Sequence, residues 1–151
     1  MFHGMNVSAS GLTSQRLRMD VVSANMANAE STRGRNVDGE WEPYRRKMVT
    51  LESNKNTGSR FQDHFQQAVG RTDTTGEGVK VGQIIEDQSP FRQQYQPDHP
   101  DANEEGYVEL PNVDPLKEMM DLMSATRSYE AGVTSFDAHK NMLMKALEIG
   151  R

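Results

Sequence analysis

Apolar positions recur every seven residues at both ends of the chain. Near the start, Met5, Leu12, Met19 and Met26 keep that interval, with Val22 and Ala29 at +3 positions. Near the finish, Leu122, Tyr129, Phe136 and Leu143 keep it too, with Ala125, Gly132, His139 and Ala146 at +3. Val133 and Leu147, at +4, widen that second stripe. A period near 3.5 residues is what a helix needs to hold one stripe against a partner helix along its length. Neither segment can bury its own stripe, so the two ends are expected to pair with each other and with neighbouring copies.

All six prolines lie between residues 43 and 115, which leaves both ends uninterrupted. The periodicity predicts a first helix over residues 6–29, with Asn6 or Ser8 as its N-cap. Gly11 inside it costs about 1 kcal/mol relative to alanine. Asp114-Pro115 predicts the start of a second helix: the Asp accepts from a free N–H group, and Pro tolerates the first helical position. That helix is expected to reach Ile149, roughly 50 Å on, with Gly150 closing it. Lys117 and Asp121, Arg127 and Glu130, Asp137 and Lys140, and Lys145 and Glu148 are spaced to pair along its solvated face. Such pairs contribute only a few tenths of a kcal/mol each.

The middle of the chain reads as strand and loop. Tyr44–Leu51, Gly78–Glu86 and Pro90–Gln96 carry β-branched, aromatic or alternating residues and predict three strands. A polar stretch of about 53–78 predicts a mobile loop, with at most a short helix from Phe61 to Val69. Gln96–Pro111 reads as an irregular connector. The expected fold class is therefore α+β, divided at residues 1–32, 33–111 and 112–151. Long N- and C-terminal helices pair as a coiled coil, and a small β-rich middle domain rides between them.

Composition sharpens this picture. Hydrophobic residues make up 34% of the chain and the mean hydropathy is −0.80, which is polar for a self-contained globule. A subunit that buries its stripes on polymerising has this composition, and so does a partly disordered chain. A net charge of −5 argues against nucleic acid as a partner. There is no cysteine, which excludes disulfides and thiolate chemistry. No apolar run approaches a signal peptide or a membrane span; Met142-Leu143-Met144 is the longest, and no membrane insertion is expected.

The four histidines show no metal spacing, and neither a phosphate loop nor a nucleophile triad is visible. His99-Pro100-Asp101 matches a tripeptide of J-domain co-chaperones, but in an acidic loop of the wrong context. No catalytic residue, cofactor or small-molecule substrate is therefore expected. Most of the ten methionines lie at or near the helical ends, where an adaptable side chain suits core or polymer contacts alike.

Charge is segregated. Arg33, Arg35, Arg45, Arg46, Lys47, Lys55 and Arg60 crowd one segment, and acids from Asp98 to Asp121 crowd another. These are two solvated surfaces, an in-chain pairing, or a contact between adjacent subunits. In the last case Arg45, Arg46 and Lys47 would face Glu104, Glu105 and Glu109 and set register more than affinity.

Several motifs agree in order with a known family. Residues 10–28, Ser-Gly-Leu-Thr-Ser-Gln-Arg-Leu-Arg-Met-Asp-Val-Val-Ser-Ala-Asn-Met-Ala-Asn, closely resemble the N-terminal signature of bacterial flagellar rod and hook proteins. Its heart is the step Asn25-Met26-Ala27-Asn28. Residues 41–49, 95–103, 106–115, 127–130 and 145–150 narrow the likeness to proximal rod subunits of the C type. It covers most of the chain and fades between Ser53 and Gly76. Glu30-Ser31-Thr32 and Gly132 depart from the usual pattern.

The resemblance implies a non-catalytic building block of the flagellar basal-body rod. It implies partners among copies of itself, other rod subunits and the flagellar type III export apparatus. It also implies passage out of the cytoplasm without a cleavable signal peptide, terminal helices packed into an inner tube, and an outer β-rich domain. The free subunit is then expected to keep its ends loose until assembly buries them. A soluble coiled-coil adaptor or chaperone-like binding module is the alternative, and an enzyme is the weakest reading.

Overall fold

The computed structural model describes residues 2–37, 39–54, 68 and 78–149. Among the described elements, two long helices bracket six strands: α1 (Phe2–Ala27), β1 (Arg35–Val37), β2 (Glu40–Glu42), β3 (Lys47–Asn54), β4 (Gly78–Glu86), β5 (Arg92–Tyr95), β6 (Tyr107–Leu110) and α2 (Pro115–Ile149). The chain is thus mixed helix and strand, with helices towards both ends. Among the described residues no helix is long and apolar enough to cross a membrane.

α1 has 26 residues, about 39 Å, and starts earlier than the capping signals suggested. Asn6 and Ser8 are interior helical positions, not caps. Tertiary contact overrides the local signal, because the first turn lies against α2: a Cβ on Gly4 would stand 2.8 Å from His139 Nε2. α1 ends where Asn28 closes it, its N–H and its side-chain amide both donating to the Ala24 carbonyl at 3.1 and 2.8 Å. α2 begins as expected. Asp114 Oδ1 accepts from the Leu116 N–H at 3.0 Å, and the Asp114 carbonyl takes the first intrahelical bond, from Glu118. Its 35 residues span about 52 Å.

The strands form three separate two-stranded antiparallel ladders. In the first, β1 pairs β2 through Asn36↔Trp41, and the turn contains Gly39 at φ +96°, a backbone conformation that favours glycine. The Asp-Gly dipeptide at 38–39 was the available sequence signal for this hairpin. In the second, β3 pairs β4 from Lys47↔Glu86 to Asn54↔Gly78. Its register shifts between Val49 and Leu51, where the Thr50 hydroxyl bonds both the N–H and the carbonyl of Gln83 at 3.0 Å. In the third, β5 pairs β6 from Arg92↔Leu110 to Tyr95↔Tyr107, so part of the expected irregular connector is strand.

β4 has its expected bounds, β3 runs three residues later than expected at each end, and β5 is shorter. Ser53, Asn54 and Gly78, at the edges of the expected loop, belong to the ladder. The rest of that loop, including Phe61–Val69 apart from Ala68, lies outside the described residues.

A two-stranded ladder is marginal alone and needs a surface to pack on. α1 supplies it for the second ladder: the Val79 N–H donates to Ser10 Oγ at 3.0 Å, and Val21 and Val22 line a cleft of about 230 Å³ with Met48, Val49 and Leu51. The apolar core is small. Val21, Val22, Val108, Val113 and Ala125 are its buried members, and they share the interior with buried Ser14, Asn25 and Glu118.

Candidate assembly site

α1 and α2 run antiparallel against each other. Asn25 meets Glu118, Leu12 lies under Gly132, and Gly4 lies under His139, so residue numbers rise on one helix as they fall on the other. Between them Thr126 Oγ1 stands 3.5 Å from Met19 Sδ. Asp121 apart, the less exposed positions of α2 are Glu118, Leu122, Ala125, Tyr129, Gly132, Phe136, His139 and Leu143, alternately four and three residues apart. On α1, Met5, Leu12, Met19 and Met26 are half-buried, and Val22 is buried. Gly132 sits tightly under α1: a Cβ there would stand 2.9 Å from Leu12 Cδ2. Val133 and Leu147 lie off this seam, 37% and 76% exposed.

One end of the seam is closed by a polar latch. The Asn25 side chain is fully buried and uses all four of its hydrogen-bonding positions. Its Nδ2 donates to the Lys47 carbonyl at 2.8 Å and to Glu118 Oε2 at 3.0 Å. Its Oδ1 accepts from the Lys47 N–H at 2.9 Å and the Tyr44 hydroxyl at 3.1 Å. The amide therefore pairs with the first residue of β3 as another strand would, while joining α1 to α2. An aspartate could accept but not donate there.

Glu118, also fully buried, completes the latch with its second oxygen, which accepts from Arg46 Nε at 2.6 Å. Arg46 extends to Asp121 at 3.5 Å and Asp87 at 3.7 Å, and Arg18 reaches Asp121 at 3.2 Å. Burial, and then the negative charge of Glu118 and Glu86, pushes the Tyr44 hydroxyl above its ordinary pKa, so it stays a donor. Asn112 binds the assembly from behind, accepting from the Arg46 N–H at 2.8 Å and donating to the Asp87 carbonyl at 3.0 Å.

The two crowds of charge are partly joined within the chain. Arg46 meets Glu118 and Asp121, and Arg33 holds Asp101 at 2.6 Å. The Arg33 and Thr32 hydrogen bonds keep the Asp101 carboxyl below its usual pKa. Asp101 thereby ties the His99-Pro100-Asp101 turn to the segment after α1. Arg45 lies 4.5 Å over the Phe91 ring and Lys47 5.6 Å from the Tyr44 ring centre. Glu104, Glu105 and Glu109 are exposed and form no ion pair among the described residues. Of the four pairs expected along α2, Lys145–Glu148 closes at 2.7 Å, whereas Asp121 is drawn to Arg18 and Arg46.

What the chain leaves bare is mostly on α2. Leu116, Met119, Met120 and Met123 form one exposed apolar strip near its start. Met142, Met144, Leu147 and Ile149 are exposed at its finish. The second group has a geometric cause. α1 begins two residues before Gly4, opposite about Asn141, so the last two turns of α2 have no α1 beside them.

Comparison with known proteins gives this arrangement its context. Residues 5–34 match the family described as flagella basal body rod protein, and residues 104–149 match the flagellar basal body rod FlgEFG protein C-terminal family. The flagellar basal-body rod protein FlgC of Bacillus subtilis is 59% identical over 99% of this chain and 98% of its own length. The chain belongs to the FlgC family of flagellar basal-body rod proteins. The FlgC of Borreliella burgdorferi is 40% identical over 99% of this chain and 97% of its own. That of Escherichia coli O157:H7 is 39% identical over 97% and 95%. The matched rod segments hold α1 and α2, and the Asn25 of the family's Asn-apolar-small-Asn step is the centre of the latch.

Glu118 is the functional residue that sequence reasoning missed. It stood among the acids of a solvated surface, and its partner Arg46 lies 72 residues away. No local spacing marks such a pair.

Proposed function

We infer that this structural subunit of the flagellar basal-body rod joins its neighbours through the apolar surface of α2 that its own chain leaves bare. The observation that carries this reading is the overhang. A seam closed by α1 ends near Asn141, and Met142, Met144, Leu147 and Ile149 continue into solvent. Burying such side chains yields about 1.5–3 kcal/mol each, enough for a few of them to drive association.

On this reading residues 1–32 and 112–151 form the helical unit of the rod and 33–111 its outer β-rich unit. The seam works as a coiled coil inside each copy, through Met5, Leu12, Met19, Val22, Asn25, Met26 and Asn28 against Leu122, Tyr129 and Phe136, and Leu143 lies just past its end. Val133 and Leu147 face neighbours instead. The coupling of folding to assembly then falls on the last turns of α2 more than on the seam. Partners are copies of this chain and other rod subunits, reached after export through the flagellar type III apparatus without a cleavable signal. Charge contributes to register between copies: with Arg46 engaged inside, Arg45 and Lys47 are the groups that meet Glu104, Glu105 or Glu109. Torque passes along the packed helices and no bond is made or broken.

The test is Leu143→Asp, which places a carboxylate where α2 leaves α1. Secretion assays should find the variant outside the cytosol in cells that build no rod. Normal swimming would contradict the interface.

A further inference from the structure

The β1–β2 hairpin carries two unlike clefts. The first, of about 500 Å³, is lined by Trp41, Pro43, Tyr107, Glu40, Glu109 and Asp101 among others. Trp41, the single tryptophan of the chain, is 56% exposed on its wall. Tyr107 is braced edge-on by Tyr95, with ring centres 5.4 Å apart. Asp101 is already held by Arg33 and Thr32, so Glu40 and Glu109 are the carboxylates of this cleft with no ion pair among the described residues. The second cleft, of about 210 Å³, meets the first at Pro43 and is lined by Arg35, Arg45 and Lys47, with Glu42 and Glu86. Arg35 is paired with both of those glutamates. Arg45 and Lys47 face rings and form no ion pair among the described residues.

We propose that these two clefts are the two halves of one contact between copies of this chain, in which Arg45 and Lys47 of one copy enter the Trp41 cleft of the next. The acceptor offers an aromatic face for a cation and two carboxylates to pair with it. The donor offers two cations that form no ion pair among the described residues. Trp, Tyr and Arg are also the residue types that anchor protein interfaces. Engaged by two different neighbours, donor and acceptor make the contact heterologous: it repeats head to tail and either closes a ring or winds a helix. That is the geometry a tubular rod requires. The proposal rests on the self-assembly reading above and names a second contact for it, away from the helices.

A chain without cysteine makes the test direct, since each introduced thiol is unique. Cells should be made to produce Glu109→Cys and Lys47→Cys chains together, their basal bodies isolated, and the thiols oxidised. The expected result is a mixed disulfide dimer, absent when either variant is produced alone, and a ladder of longer oligomers from the double variant. Incorporated chains that give no mixed disulfide overturn the clasp and leave the rod reading standing. Should the thiol variants not assemble, a photo-crosslinking benzoylphenylalanine at Trp41 keeps an aromatic ring in place. Capture of a product of twice the chain's mass supports the contact, and capture of a protein of another mass, or of none, overturns it. Failure of the unmodified chain to appear in isolated basal bodies would strike at the rod reading itself.

Discussion

The two ends of α2 are built on opposite rules. At its start a fully buried carboxylate, Glu118, is held by an amide and a guanidinium from elsewhere in the chain. At its finish Leu147 and Ile149 stand 76% and 86% exposed. The first end spends its polar groups on internal order, and a buried charge there is tolerable because every partner is in place. The second leaves apolar surface for a neighbour.

The sharpest way to break the contrast is Glu118→Ala. It leaves one Asn25 N–H unpaired in the interior and the Arg46 guanidinium with only Asp121 and Asp87, and the loss should be about 1–3 kcal/mol by urea unfolding. Glu118→Gln, which keeps the shape and one acceptor, should lose clearly less. If Glu118→Ala unfolds like the parent, the latch contributes nothing and the comparison fails at its first term.

Two glycines sharpen the seam between those ends. A Cβ at Gly11 meets nothing within 4 Å, so Gly11→Ala should stabilise by up to about 1 kcal/mol through helix propensity. At Gly132 the same gain is opposed by Leu12 Cδ2 at 2.9 Å, and the net change should be near zero or negative. Equal stabilisation at both sites would mean that the helices do not approach as described.

Leu147→Asp addresses the exposed end. Its effect on unfolding should stay within about 0.5 kcal/mol, as for a surface position, while rod assembly and swimming are lost. A stability loss as large as that of Glu118→Ala would place Leu147 in the core and erase the difference between the two ends.

The smallest expected effect is electrostatic. Asp101 is kept below its ordinary pKa by hydrogen bonds from Arg33 and Thr32, so its ionised form favours the fold. The contribution is present above the ordinary carboxylate value of about 4 and fades as pH falls through the lower folded value. Asp101→Asn should therefore be slightly less stable than the parent at pH 7, and the two should converge as acid is added below about pH 4. A gap that widens with acid would reverse the sign and refute the pairing.

Much of this protein was legible in its sequence. The Asp114-Pro115 start and the limits of β4 depend on dipeptides and periods that act within a few residues, and the structure keeps them. The Asn25-Met26-Ala27-Asn28 step was readable as a family signature. Local chemistry could not decide which asparagine is buried, that Glu118 leaves the acidic surface to meet Arg46, or that β5 and β6 pair across a proline-rich connector. Those outcomes depend on groups tens of residues apart arriving at one place, where desolvation makes an unpaired amide or charge costly and a paired one tolerable. Nor could the period alone say which stripe residues face inward. Leu122 and Leu147 fit the widened stripe equally well, yet one lies against α1 and the other passes its end, because α2 is nine residues longer than α1. The repeat was set by the sequence, and its division between less exposed and exposed positions was set by how far α1 reaches along α2.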